Sequence, residues 1–325
     1  MFSLQVSLNL TSLFLPRGIC YNNPLTSILN TIRNKDNSKM DKTIISIVTH
    51  NSRDIFKTLD QLGIAIADDP RFEVKIFDNG SDSEYIAKLQ QYSFVTVVQA
   101  SDNLGFGHGH NQLLMHATEK YGIICNPDIL VSKNSLDGLL KRIQNNDAAI
   151  VVPQVLNEDG TIQHLVRERL AVFDYFLRFV PLSWVKKVFR KRLFSYECQN
   201  LPQDKTSYIR MGSGCFMLID IEKFKEIGGF DERFFMYFED NDLCLRYEKA
   251  GYRILYTPFE KVVHLYGKGA HRSLKLFCVF MQSMTKFLIN GAGGFFNESI
   301  VCDSRFIRKK MARIVSCSDI RKRDS

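Results

Sequence analysis

The sequence predicts an α/β protein, a mostly parallel sheet flanked by helices, and three observations predict it. From Thr43 onward, short β-branched runs alternate with stretches whose apolar residues recur at helical spacing. Polar residues gather directly after each of the first four apolar runs, where an open parallel sheet binds its ligands. Beyond Pro153 the alternation lapses into irregular helical and extended pieces, which read as an α+β elaboration on the first-half sheet.

Taken in order, "TIISIVTH" (43–50) is a β-branched run that reads as a buried strand. "SRDIFKTLDQLGIAIAD" (52–68) places Ile55, Leu59, Leu62 and Ile66 on one helical face. "FEVKIFDNGSD" (72–82) is a second strand ending in turn residues, and "SEYIAKLQQY" (83–92) the helix after it. "FVTVVQA" (94–100) and "GHNQLLMHATEKY" (109–121) repeat the pair, as do "GIICNPD" (122–128) and "SLDGLLKRIQN" (135–145). "AAIVVPQV" (148–155) is a fifth strand. In the second half, "GTIQHL" (160–165) reads as extended, and "SYIRMGSGCFMLID" (207–220) as a strand broken by Gly212 and Gly214. "IEKFKEIGGF" (221–230) is a short helix stopped by two glycines. A helix opening at the acids of "FEDND" closes at Gly251, and "YRILYTP" and "KVVHLYG" are two separate extended pieces.

The composition, 45% hydrophobic and 24% charged over 325 residues, is that of a globular protein rather than a disordered or fibrous one. No run approaches the roughly 18 apolar residues of a membrane span. The opening 1–39 is apolar but interrupted by polar residues, and reads as a poorly structured extension; Met40 is itself a candidate translation start. The eight cysteines include no C-x-x-C pair and several sit in apolar runs, which favours a reducing compartment over disulfides or zinc. The net charge of +8 is concentrated in two blocks, 167–194 and 305–323, where Arg and Lys are interleaved with apolar residues. Such blocks suit an anionic membrane surface or a plain solvated helix, and nucleic acid only in the presence of a binding module that this chain lacks.

The strand-end loops carry the chemistry. They hold Thr49 and Asn51 after the first strand and Asp78 and Asn79 after the second, with "SDNLGFGHGHN" (101–111) after the third and "NPD" (126–128) after the fourth. There is no P-loop, and "GFGHG" (105–109) has the wrong spacing and position for a dinucleotide fingerprint. Asp78 is placed to accept from a pyrimidine imide N–H or a ribose hydroxyl, or else to cap a turn. Asp128 is the candidate ligand for Mg²⁺ or Mn²⁺, which bind through few carboxylates plus phosphate and water; N-P-D is otherwise a common turn. His264 ends an apolar strand and either reaches toward that metal or is a buried histidine. "MYFEDNDLCLR" (236–246) sets Glu239, Asp240 and Asp242 between apolar runs, where a neighbouring acid and partial burial raise a carboxylate toward the working pH of a general base. The helix dipole alone would account for part of this cluster.

Together "SIVTHNS", "IFDNGSD", "NLGFGHGHN", "NPDI", "GSGCFMLI", "GGFDERFFMYFEDNDLCLR" with "AGYRILYTP", and "VVH" resemble an inverting family 2 glycosyltransferase, in order from about Thr43 to Ser273. The closest subgroup is the bacterial rhamnosyltransferases of O-antigen and related surface polysaccharides. The resemblance implies a GT-A (Rossmann-like) fold over 40–273, with a nucleotide-binding half (40–153), an acceptor half (154–273) and a basic helical tail (274–325). It implies a nucleotide-sugar donor held by Thr49, Asn51, Asp78 and Asn79, by the loop residues Asn103, Gly105, Phe106 and Gly107, and by Asn126. Asn126 stands where the family often has the first Asp of D-x-D. A divalent metal falls to Asp128 and His264, general-base work to Asp240 with Glu239 beside it, and the acceptor side to Gly212, Ser213, Gly214 and Asp242. The implied reaction moves L-rhamnose from dTDP-L-rhamnose, or another sugar from a UDP- or GDP-linked donor, onto a lipid-linked saccharide at the cytoplasmic face of the cell membrane. A non-catalytic saccharide- or membrane-binding module would not need "NPD" and "FEDND" together.

Overall fold

The computed structural model describes residues 41–168, 177, 183–265 and 274–291. The expectations for 1–39 and for the basic block 305–323 lie outside these residues. Strands β1 (Thr43–Thr49), β2 (Phe72–Asn79), β3 (Val95–Ala100) and β4 (Tyr121–Cys125) alternate with helices α1 (Ile55–Ala65), α2 (Ser83–Leu89) and α3 (Phe106–Leu114). β5 (Ile129–Val131), α4 (Lys133–Asn145) and β6 (Ile150–Leu156) follow. The second half adds α5 (Ser183–Val188), α6 (Arg190–Tyr196), β7 (Ser207–Ile209), β8 (Phe216–Asp220), α7 (Ile221–Glu226), α8 (Glu239–Lys249), β9 (Ile254–His264) and α9 (Leu274–Lys286).

All nine strands share one sheet, in the order β3-β2-β1-β4-β8-β6-β9-β5 with β7 against β9. β3, β2, β1 and β4 are mutually parallel, so their carboxyl ends lie along one edge. β8 runs antiparallel to both β4 and β6 and stitches the two halves together, so the sheet is mixed beyond β4. β1 is buried throughout because it is central: Ile45 and Ile47 face one core cluster with Leu59 of α1 and Leu139 of α4, while Ile44 and Val48 face the other. That second cluster includes Leu114 of α3, Phe224 of α7 and Leu243 of α8, so apolar layers cover both faces.

Four departures from the sequence reading bear on the site. "YRILYTP" and "KVVH" are one eleven-residue strand, β9, which passes Pro258 because residues 258–260 bulge out of its pairing with β6, where Pro153 pairs with Thr257 and Gln154 with Lys261. Residues 129–131, to which the sequence reading gave no element, form β5 and pair Ile129 with His264. "GTIQHL" makes only an isolated bridge from Ile162 to Leu156. The first part of the segment read as a tail is α9, which packs Phe280 and Met284 into the core beside Phe238. Cys125, Cys215 and Cys244 are buried free thiols.

Candidate active site

At the parallel edge, in-register pairing sets Thr49 beside Asp78. Asp78 is buried; its Oδ2 accepts from the Ser81 amide at 2.9 Å, while Oδ1 has no partner among the described residues. Leaving a buried acceptor unmet costs about 1–3 kcal/mol, so Asp78 both closes its turn and keeps one oxygen in reserve. Thr49 Oγ1 is hydrogen-bonded to the Tyr85 hydroxyl. Asn51, at a positive φ of 50°, receives the Asp82 amide on its side-chain oxygen and donates its own amide to Ser81 Oγ.

The Asn79 side chain tethers the next loop. Its oxygen accepts from the Leu104 amide and its nitrogen donates to the Gly105 carbonyl, while Asn103 Oδ1 accepts from the Gly105 amide. Gly105 has φ +101°, and a Cβ there would lie 2.5 Å from the Phe235 carbonyl oxygen, so only glycine fits. The close approach lets the Phe106 amide donate to that carbonyl at 3.0 Å, and Gly107 packs on Phe230. The histidines of "GHGHN" turn to different partners, His108 to Glu232 and His110 to Ser46.

The "NPD" corner joins β4 to β5, and the pairing of β5 with β9 carries His264 to it. His264 Nε2 lies 3.2 Å from Asp128 Oδ1, and the Leu265 amide donates to the Asp128 carbonyl. Gln163 donates its amide hydrogens to the His264 carbonyl and to Asn157 Oδ1, which fixes its Oε1 as the acceptor facing His264 Nδ1 at 3.1 Å. Nδ1 is then the donor, and Nε2 is turned on Asp128. Asp128 Oδ1 is buried and has no hydrogen-bond partner among the described residues. A carboxylate oxygen without a hydrogen bond, opposite an oriented imidazole nitrogen, is a donor pair that suits a hard divalent cation. Among the described residues no group of three or more acidic, histidine or cysteine side chains gathers to hold a metal, so these two would need phosphate and water to complete the shell.

The acidic corner is built differently. Tyr237 (φ 71°) and Phe238 (φ 70°) are both left-handed, and the turn they make starts α8 at Glu239. Asp240 is half-buried; one oxygen accepts from the Gly214 amide at 3.1 Å and the other from the backbone and side-chain nitrogens of Asn241 at 2.8 Å each. Burial pushes Asp240 above the usual carboxylate range, against the pull of the Gly214 and Asn241 amides. Burial and then the Asp240 charge push Glu239 up to about 8, so Glu239 holds a proton at neutral pH. Asp242, expected on the acceptor side, is buried and bonds Arg246 at 2.7 Å, which in turn donates to the carbonyls of Ile227 and Gly229.

One short segment connects the two acids. The Gly214 amide holds Asp240, and the next residue's carbonyl, Cys215, accepts from the Asn126 amide of the "NPD" corner at 2.9 Å. Cys215 lies within the field of both Asp128 and Asp240. A Cβ on Gly214 would stand 3.2 Å from Asp240 Cβ and 3.4 Å from the Phe106 ring, so the loop at 105–107 reaches the same place. Gly212 and Ser213 lead into it. Sequence reasoning did not find Gln163, Tyr85 or the left-handed pair at 237–238, since none belongs to a local pattern.

The family model described as "Glycosyl transferase family 2" matches residues 44–228, over half the chain, and the protein belongs to that family. It is a glycosyltransferase, with a GT-A-like fold. A model described as the N-terminal domain of galactosyltransferase matches 202–269. The chain is 27% identical to rhamnosyltransferase WbbL of Escherichia coli (strain K12), over 75% of this chain and 91% of that one. It is 28% identical to an N-acetylglucosaminyl-diphospho-decaprenol L-rhamnosyltransferase of Mycobacterium tuberculosis, over 62% of this chain and 69% of that one. Its fold is similar to that of the mannosyltransferase PcManGT from Pyrobaculum calidifontis, solved with GDP-Man and Mn²⁺. The TM-score is 0.51 and the identity 14%, with 92% of this chain and 89% of that one covered. Among the described residues no helix is long and apolar enough to cross a membrane.

Proposed function

We propose that the protein transfers L-rhamnose from dTDP-L-rhamnose, with inversion, to a lipid-linked saccharide in surface polysaccharide synthesis. The observation that carries this reading is the Gly214–Cys215 segment, which ties the base candidate Asp240 and the corner that presents Asp128 into one site. The names of the two rhamnosyltransferase relatives support the sugar, and the reserved oxygen of Asp78 suits the imide N–H of thymine. Asp240 takes the proton from the acceptor hydroxyl as that oxygen bonds to the anomeric carbon. The bond from that carbon to the nucleoside diphosphate breaks, and the nucleotide leaves with the electron pair. The single displacement inverts the centre. Glu239, protonated beside it, keeps a second negative charge away from the base. Asp128 and His264 would hold a divalent cation, which when bound neutralises charge on the diphosphate. Thr49, Asn51 and Asp78 line the nucleoside end, and Asn79 and Asn103 shape the loop that brings Phe106 and Gly107 beside it.

Incubating the protein with dTDP-rhamnose, UDP-, GDP- and CMP-sugars, with and without Mg²⁺ or Mn²⁺, tests the reading by nucleotide release. Metal-dependent release from dTDP-rhamnose above all others is expected; release from a UDP- or GDP-sugar alone would replace the donor. Membrane association is part of the same proposal. In the described part of the basic block, α5 and α6 expose Trp184, Val188 and Phe194 beside exposed Lys187, Arg190 and Lys191, the pairing that lies in an anionic headgroup layer. Trp184→Ser with Val188→Ser should lower co-sedimentation with anionic vesicles severalfold, and equal binding would remove this surface from the proposal.

A further inference from the structure

The basic block 167–194 reads as a solvated or membrane-facing helix, yet its first residue turns inward. Arg167 is buried, with 5% of its surface exposed. Its Nη1 donates to the carbonyls of His164 at 2.6 Å and Val166 at 2.7 Å, and its guanidinium lies over the Tyr196 ring, 5.1 Å from the centre. Among the described residues no carboxylate stands within ion-pair distance of it; Arg210 pairs with Glu248 and Arg246 with Asp242 instead. A buried charge held only by carbonyl dipoles and a ring face is costly unless an anion lies in its field.

The acidic corner has the opposite surplus. Glu239 is buried and Asp240 half-buried, and among the described residues no Lys or Arg pairs with either. One short segment joins the two surpluses. The Arg167 amide donates to the Met211 carbonyl at 3.0 Å in an isolated antiparallel bridge, Cys244 Sγ of α8 stands 3.9 Å from the Gly212 carbonyl, and the Gly214 amide holds Asp240. Residues 211–214 are thus tied to Arg167 at their start and to α8 at Gly212 and Gly214. The Arg167 charge pulls Asp240 down, against the burial that raises it. The other titratable groups around Asp240 are Glu239 and Cys244 of α8 and Cys215 after Gly214. Burial pushes both thiols up to about 12, so they stay neutral, and the Phe106 loop presents a ring.

We propose that Arg167 is the counter-charge of Asp240, a positioning residue that acts across the 211–214 segment and keeps the base carboxylate charged once an acceptor covers the site. The inference rests on the glycosyl-transfer reading for the role of the base, so it is tested on the resting protein as well as in turnover. Asp240 is titrated by NMR in the full chain labelled with carbon-13 at the aspartate carboxyls, its signal assigned by its loss in Asp240→Asn. The acid limb of kcat for nucleotide release is measured in parallel. Removing a nearby cation raises the proton affinity of a carboxylate, so Arg167→Met should move both midpoints up by about one pH unit, a tenfold change. Arg167→Lys keeps the charge but loses the paired carbonyl bonds, and should leave both within about a third of a unit. Urea unfolding gives a second readout. Arg167→Met should lower the midpoint less in the Asp240→Asn background than in the wild type, because cation and anion are then lost together. Arg167→Gln replaces the methionine variant if that does not fold. An unmoved Asp240 midpoint in the neutral variant, or equal shifts in the lysine and neutral variants, overturns the pairing even if nucleotide is released. Failure of both neutral variants to fold even in the Asp240→Asn background assigns Arg167 to the fold alone and overturns it too. The expected shifts in a protein that releases nucleotide from no sugar donor keep the charge pair and remove the transfer reading instead.

Discussion

The two acids assigned to the reaction are presented by opposite means. The "NPD" corner continues β4 into β5, has no left-handed residue, and is fastened by hydrogen bonds of its backbone: the Asn126 amide to Cys215, the Pro127 carbonyl to Thr58. The "YFED" corner forces two bulky aromatic residues in succession into left-handed backbone, at a cost of about 1–3 kcal/mol each. Its support is mainly aromatic packing. The Phe238 ring packs on Phe280 and Phe287 at 5.3 and 5.5 Å, Tyr237 packs on Phe280, and Ser283 Oγ donates to the Met236 carbonyl. The residue proposed to hold charge is set by hydrogen bonds on an unstrained backbone. The residue proposed to move a proton is set by tertiary packing against α9, which stores strain next to it.

The largest effect should separate the two corners functionally. Asp240→Asn should lower kcat by about 10²–10⁴ and leave nucleotide affinity close to that of the wild type, because only the proton transfer is lost. Asp128→Asn should instead weaken metal-dependent donor binding, seen as a rightward shift of the metal activation curve. Isothermal titration with nucleotide beside steady-state rates distinguishes them; matching profiles for the two variants would erase the division of labour.

The next effect addresses the strain. Phe238→Ala removes a buried ring from the α9 contact and should cost about 3–5 kcal/mol in urea unfolding. Phe238→Gly loses the same ring but relieves the left-handed backbone, so it should be more stable than the alanine variant by about 1 kcal/mol despite the lower helix propensity of glycine. At Pro127, where no such strain exists, the alanine and glycine variants should fall in the opposite order. Equal stabilities of Phe238→Ala and Phe238→Gly would show that the backbone there is not strained.

This contrast also explains what the sequence could reveal. The parallel half was legible because each of its elements carries its own signal: β1 in an unbroken β-branched run, α1 in Ile55, Leu59 and Leu62, the turn after β2 in "DNGSD". Asp128 and Asp240 stood out because acids at strand ends or between apolar runs are chemically conspicuous. The joining of β9 across Pro258 was not legible, since a proline reads as a break unless the strand bulges it out of the ladder, as β9 does at 258–260. Nor was the engagement of Asp242 by Arg246, because spacing in a helix does not say which of three acids turns inward. Gln163 and α9 act only through residues about a hundred and about forty positions away, and no local pattern encodes that.

The smallest effect concerns Glu239, and its sign is fixed by the direction of the shift. Its ordinary value of 4.5 is raised to about 8 in the fold, so the folded state holds this proton more tightly than the unfolded chain does. The stability this contributes is fully present below about pH 4.5 and is lost as pH rises through about 8. Asp240, shifted in the same direction, adds to the slope. Glu239→Gln keeps a neutral side chain at all pH values and removes that share of the dependence. The variant should match the wild type near pH 5 and exceed it by about 1–3 kcal/mol at pH 9, read from urea midpoints at the two values. Parallel pH curves for the two proteins would mean that Glu239 is ionised in the fold. The acidic corner would then hold two adjacent charges, and the difference drawn between it and the "NPD" corner would have to be argued from the backbone alone.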